Sequence, residues 1–118
     1  MVEWLYSVRA RERLLRVRIQ EGDISMADTA YTIRVNGRVQ GVGFRATTQM
    51  LADRMAIRGD VRNQSDGSVL IHAVGTDTQM SAFREAIKQG PSQFARVSTY
   101  EETPMKSVPE YNGFNVVY

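Results

Sequence analysis

The chain contains no cysteine and a single histidine, and it has no apolar run that approaches the roughly 18 residues of a membrane span. The absence of cysteine excludes a disulfide framework, a thiolate nucleophile and a cysteine-ligated metal. One histidine leaves little for an imidazole metal site. Asp53, Asp66 and Asp77 do not gather at metal-ligand spacing, because Asp66 belongs to a turn and Asp77 to the first turn of a helix. No metal and no cofactor is therefore expected. Charge of one sign is also scarce: 15 basic and 13 acidic residues are spread along the chain for a net charge of +2. Without a Lys/Arg cluster in the later part of the chain there is no nucleic-acid footprint. The amino-terminal basic residues follow Trp4, Leu5 and Tyr6, which reverses the basic-then-apolar order of a signal peptide. A cytoplasmic protein without membrane contact is expected.

What is present is one domain's worth of chain, 118 residues with 42 % apolar and 24 % charged content, the balance of an ordinary globular protein. Residues 1–29 read differently from the rest, as an N-terminal extension of uncertain role. Arg9, Arg11, Arg13, Arg16 and Arg18 interleave there with Trp4, Leu5, Val8, Leu14, Leu15, Val17 and Ile19. A helical reading groups Leu5, Val8, Leu15 and Ile19, and a strand reading alternates Leu15, Val17 and Ile19; both stay open. The segment is expected to be dispensable for activity, a solvated basic face of an extension, an over-long start or an expression remnant, though it could cover part of a sheet with Trp4 and Leu5.

From Tyr31 the pattern is regular. Tyr31, Ile33 and Val35 alternate with polar residues in a first strand, and Phe44, Thr48, Leu51 and Met55 recur at helical spacing over about 13 residues. Gly59 is expected to stop that helix near Ile57-Arg58-Gly59. A second strand covers Asp60 to Gln64, Asp66-Gly67 signals a hairpin, and Val69, Ile71 and Ala73 alternate in a third strand. Thr76 and Gln79 fit a capping box for a second helix with Met80, Phe83 and Ile87 inward, ended by Gly90-Pro91. Phe94 to Tyr100 reads as a fourth strand, Thr103 to Gly113 as a loop, and Phe114 to Tyr118 as a short last strand. The order predicts an α+β, ferredoxin-like split βαβ sandwich (βαββαβ plus a terminal strand), with two helices on one face of an antiparallel sheet. His72 reads as a surface or edge filler.

The stretch that carries chemistry is Gly37-Arg38-Val39-Gln40-Gly41-Val42-Gly43-Phe44-Arg45, a strand-to-helix turn. Its glycines let successive backbone N–H groups converge, and no Ser, Thr, Asp or Asn precedes Phe44 to cap the helix, so the first amides remain available to an anion. Arg45 adds a permanent cation with a planar donor fork. This run, together with Gly59-Asp60-Val61-Arg62-Asn63-Gln64-Ser65-Asp66-Gly67-Ser68-Val69 downstream, resembles the two-part signature of the acylphosphatases, which hydrolyse the carboxyl-phosphate anhydride bond. The resemblance covers about residues 30–118, taken as the catalytic domain.

The resemblance implies that Val39, Gln40, Gly41, Val42, Gly43, Phe44 and Arg45 form a phosphate-binding loop. It further implies that Arg45 grips the phosphate, that Thr48 supports the site and that Asn63 holds the attacking water. Elementary chemistry agrees. A carboxylate leaves readily, so the reaction needs no strong acid; it needs a cradle for the phosphoryl oxygens and a water held in line. The expected partner is a small acyl phosphate, with inorganic phosphate as product and inhibitor, acting on a monomer. Two rival readings exist. Gly41-Val42-Gly43-Phe44-Arg45-Ala46 with Asp60 outlines a dinucleotide fingerprint, but the Asp66-Gly67 hairpin breaks the repeated βαβ order that motif needs. The alternative is a non-enzymatic ferredoxin-like module for a phosphorylated metabolite or RNA. It would want exposed sheet aromatics, and the outer face offers Arg62, Leu70 and His72 instead. One departure from the family is Asp60, where an aromatic residue is usual.

Overall fold

The computed structural model describes residues 27–118. Seven elements follow in order: β1 (Asp28–Arg38), α1 (Phe44–Arg54), β2 (Arg58–Asn63), β3 (Val69–Thr76), α2 (Asp77–Gln89), β4 (Arg96–Pro104) and β5 (Phe114–Val117). The expectations for Met1 to Ile19, including a cover for the sheet from Trp4 and Leu5, lie outside the described residues. Strand order across the sheet is β4-β1-β3-β2-β5. β3 is central and antiparallel to both β1 and β2, which are therefore parallel to each other. This is the predicted ferredoxin-like sandwich. The terminal strand adds one parallel pair, β2 with β5, to an otherwise antiparallel sheet. That pairing requires the 105–113 loop to carry the chain from the β4 edge to the opposite edge.

Alternation along the strands decides which face is covered. Ile33, Val35, Val61, Val69, Ile71 and Ala73 are fully buried on one face, where Phe44 and Ala52 of α1 and Met80, Phe83 and Ile87 of α2 close over them. Phe83 and Phe114 meet edge to face, with ring centroids 6.2 Å apart, so α2 and the last strand share one aromatic contact. The capping box of α2 is present in full: Gln79 N donates to Thr76 Oγ1, and Thr76 N donates to Gln79 Oε1 at 2.9 Å. The opposite face is mixed, with Leu70 and the buried Ala30–Val74 pair beside Thr32, Arg34, Asp60, Arg62 and His72. Asp60 and His72 stand directly across from each other on β2 and β3. Asp60 Oδ1 lies 2.8 Å from His72 Nδ1, and Arg62 is 3.6 Å from the same carboxylate. His72 is thus a central-strand residue with a carboxylate partner and not an edge filler. The acid at position 60 thus joins a cross-strand polar cluster.

Two boundaries differ from the sequence reading. The first helix ends at Arg54, and Gly59 has no part in stopping it. Ala56 takes the left-handed conformation (φ 58°), with Ile57 N donating to Ala52 O (2.9 Å) and Ala56 N to Asp53 O (3.3 Å). This is the usual helix-ending motif with alanine where glycine is preferred. Gly59 instead lies within β2 at φ 145°, where a Cβ would stand 1.8 Å from the carbonyl oxygen of His72. The fourth strand begins at Arg96 and runs on to Pro104, so Phe94 sits in the preceding turn, 63 % exposed. β4 is an edge strand, where a missing proline donor costs no ladder bond.

Because the left-handed region penalises a Cβ, Ala56→Gly should raise stability by up to about 1 kcal/mol in urea unfolding. Gly59→Ala should lower it by about 3 kcal/mol or more, since the new methyl group meets backbone that cannot move aside.

Candidate active site

The turn between β1 and α1 is shaped by three glycines with positive φ. Gly37 (φ 129°) belongs to the end of β1, at an irregularity in its pairing with β4, where a Cβ would lie 2.2 Å from the carbonyl oxygen of Arg96. Its role is close backbone packing. Gly41 (φ 75°) and Gly43 (φ 79°) form the turn itself and have open space around them. Gly43 stands at the helix N-cap with no side-chain hydrogen bond to the first turn. The first helical bond runs from Thr47 N to Gly43 O (3.0 Å), and no acceptor among the described residues takes the amides of residues 41–46. These are the unpaired donors expected at a helix start, concentrated where the glycines admit a ligand.

Beside this turn lies a pocket of about 140 Å³, lined by Val39, Gly41, Gly43, Phe44, Arg45, Ala46, Asn63 and Tyr118. The register explains the meeting. β1 and β2 run parallel on either side of β3, so the loop that follows β1 and Asn63 at the end of β2 reach the same end of the sheet. Asn63 Oδ1 is buried and accepts no hydrogen bond from the described residues. A buried carboxamide oxygen without a partner is costly.

Arg45 is held from behind. Its guanidinium lies 4.7 Å from the centre of the Tyr118 ring and donates from one terminal nitrogen toward Val117 O at 3.4 Å. Gln49 Nε2 donates to Phe114 O at 3.0 Å, which fastens α1 to the same strand. Ser92 Oγ donates to Val42 O at 3.0 Å and steadies the turn from the α2 side.

Of the residues the sequence nominated, Val39, Gly41, Gly43, Phe44, Arg45 and Asn63 line the pocket. Gln40, Val42 and Thr48 do not. The Gln40 side chain turns to the β2–β3 hairpin, Val42 packs against the core, and Thr48 is fully buried one helical turn behind Phe44. Tyr118 and Ala46 line the pocket without having been nominated. An aromatic side chain at the end of the last strand was the available signal for Tyr118.

The hairpin that follows Asn63 is closed by Asp66. Its Oδ1 accepts from Ser68 N (2.9 Å) and from Ser68 Oγ (2.6 Å), and its Oδ2 is 3.1 Å from Arg34. The Ser68 hydroxyl, then the Ser68 amide, hold the Asp66 carboxyl below its ordinary value, with Arg34 adding to them. No group of three or more His, Cys, Asp or Glu side chains among the described residues could hold a metal ion. No described helix is long and apolar enough to cross a membrane.

Fold and pocket together define a class: a small ferredoxin-like α+β domain whose strand-to-helix turn presents free amides and an arginine to an anion. A family model described as Acylphosphatase matches residues 31–116. The acylphosphatase of Lacticaseibacillus paracasei is 50 % identical over 91 residues, covering 77 % of this chain and 98 % of its own length. The crystal structure of acylphosphatase from Bacillus subtilis superposes with a TM-score of 0.73 at 42 % identity, covering 76 % of this chain and 99 % of that one. The acylphosphatase structure from Coxiella burnetii gives 0.73 at 29 % identity, over 80 % and 98 % of the two chains. The chain belongs to the acylphosphatase family and is a hydrolase of acyl phosphates.

A carboxyl whose pKa is lowered on folding adds stability above its unfolded value, and that contribution disappears as pH falls through the folded value. Asp66→Ala should therefore melt below the parent at pH 7, with the gap closing as the buffer is taken below about pH 4. Thermal scans at a series of pH values read this directly; a gap independent of pH would contradict it.

Proposed function

We propose that residues 30–118 hydrolyse small acyl phosphates at the pocket between the 39–46 turn and Asn63, with Arg45 and Asn63 as the catalytic residues. The observation that carries this reading is the pairing of free turn amides and a guanidinium with a buried, unpartnered carboxamide oxygen across one cavity. The amides of residues 41–46 and Arg45 take the phosphoryl oxygens. Charge-assisted bonds of this kind are short, strong and directional, and they act where charge accumulates in the transition state.

Asn63 supplies the water. Its Oδ1 accepts a proton of the nucleophile and aims the oxygen at phosphorus, opposite the acyl oxygen. A bond forms from water oxygen to phosphorus as the phosphorus–acyl oxygen bond breaks. The carboxylate departs with the bonding pair, and the water's proton passes to a phosphoryl oxygen or to solvent. An asparagine is no base at neutral pH, so its contribution is orientation. Thr48 is fully buried one turn behind Phe44 and supports the site through packing, its hydroxyl meeting no partner among the described residues. The exposed Tyr118 ring lies against the Arg45 guanidinium.

In this reading the protein works as a cytoplasmic monomer, without metal, and inorganic phosphate competes with substrate for the cradle. Hydrolysis of benzoyl phosphate in EDTA tests it. Asn63→Ala should lose turnover by on the order of 100-fold or more while phosphate still inhibits at a similar concentration. Arg45→Ala should lose turnover and phosphate inhibition together. Unchanged turnover in Asn63→Ala would remove that residue from the mechanism, and inhibition that survived Arg45→Ala would refute the cradle.

A further inference from the structure

Gln40 lies inside the turn by sequence, yet its side chain leaves the pocket. Nε2 donates to Gln64 O at 2.9 Å and to Ser68 O at 2.8 Å, the two backbone carbonyls at the base of the β2–β3 hairpin. Each carbonyl already accepts one hairpin bond: Gly67 N donates to Gln64 O (3.1 Å) and Gln64 N to Ser68 O (2.8 Å). With two lone pairs apiece, both oxygens are filled by the addition of Gln40. Gln64 is the residue next to Asn63, and Asn63 ↔ Val69 is the last register pair before the hairpin opens. One carboxamide thus fixes the distance between the turn that carries Arg45 and the strand end that carries Asn63.

From this geometry we infer that Gln40 is a positioning residue: it acts through Asn63, by fastening the Asn63-bearing hairpin to the turn. The inference rests on the hydrolytic role proposed for Asn63. Only the pair of donor hydrogens on Nε2 can serve both carbonyls at once, so residue type matters beyond size. Methionine matches the length of glutamine and has no donor. Glutamate is nearly isosteric, and its carboxylate would face two carbonyl oxygens with nothing to donate. Neither change removes an amide from the turn or touches Arg45. The phosphoryl cradle should therefore survive both, and the aim of the water should not.

The experiment uses the full chain with benzoyl phosphate as substrate and inorganic phosphate as inhibitor. Gln40→Met and Gln40→Glu should lower kcat by on the order of 10- to 100-fold, the usual penalty for misplacing a reacting group by about 1 Å. The phosphate inhibition constant should stay within about three-fold of the parent's. In the Asn63→Ala background, Gln40→Met should then cost nothing more, because the group it positions is gone. Equal losses in kcat and phosphate affinity would make Gln40 part of the cradle and overturn the inference. So would additive losses in the double variant, or failure of both Gln40 variants to fold, which would make its role structural. If Asn63→Ala itself keeps full turnover, the proposed mechanism fails. If Asn63→Ala is inactive while Gln40→Met is unimpaired, only the Gln40 inference fails.

Discussion

A helix that starts without a side-chain cap must give its first amides to something else, and the uncapped start of α1 organises this molecule. The comparison with α2 is internal. At α2, Thr76 and Gln79 satisfy each other's backbone donors, and that end of the helix is closed to ligands. At α1, a glycine in the left-handed region occupies the N-cap, and the amides behind it meet no protein acceptor among the described residues. The two helices pack on the same sheet face, α1 through Phe44, Thr48 and Ala52 and α2 through the bulkier Met80, Phe83 and Ile87, and neither face accounts for the difference at their starts. The difference lies in four or five residues of turn, and it separates a structural helix from a receptive one.

The sheet supplies what the turn lacks. A cradle alone binds phosphate without hydrolysing it, because binding ground state and transition state equally well accelerates nothing. Asn63 comes from a different part of the chain and is brought to the turn by the parallel relation of β1 and β2 across β3. Arg45 is oriented by β5, through the Val117 carbonyl and the Tyr118 ring. The parallel β2–β5 pair therefore matters to the site: it lays the last strand, whose Val117 carbonyl faces the Arg45 guanidinium, beside the strand that carries Asn63.

Much of this was legible because it is local. Asp66-Gly67, the Thr76/Gln79 box and the apolar spacing of both helices are short-range patterns whose physics is complete within a few residues. Arg45, Asn63 and most of the turn were also legible, since the family resemblance marks them and the free amides follow from a missing cap. What escaped depends on distant partners. Ala56 ends α1 in a conformation that glycine would favour, while Gly59 is reserved for close contact with the His72 carbonyl on the neighbouring strand β3. The pairing of Asp60 with His72 needs the β2–β3 register, and the β4 boundary needs knowledge of which strand is at the edge. The resemblance places Gln40 in the phosphate-binding loop, and nothing in its neighbours announces that its side chain faces the hairpin.

The groups around the pocket also bear on which phosphates the site can cleave. Arg45 cannot release a proton at any ordinary pH and Asn63 is no acid; among the described residues lining the cavity, Tyr118 brings a phenolic hydroxyl, and no carboxylate, lysine or histidine side chain joins it. On the proposed mechanism the leaving group departs unprotonated, since neither Arg45 nor Asn63 gives it a proton. A carboxylate, whose conjugate acid has a pKa of about 4, does so readily. An alkoxide leaving from an ordinary phosphate ester needs a proton in the transition state, and general acid catalysis of that step is worth about 10²- to 10⁴-fold where a donor is in place. A site that works through Arg45 and Asn63 alone thus favours a leaving group that needs no proton, which a carboxylate is and an alkoxide is not.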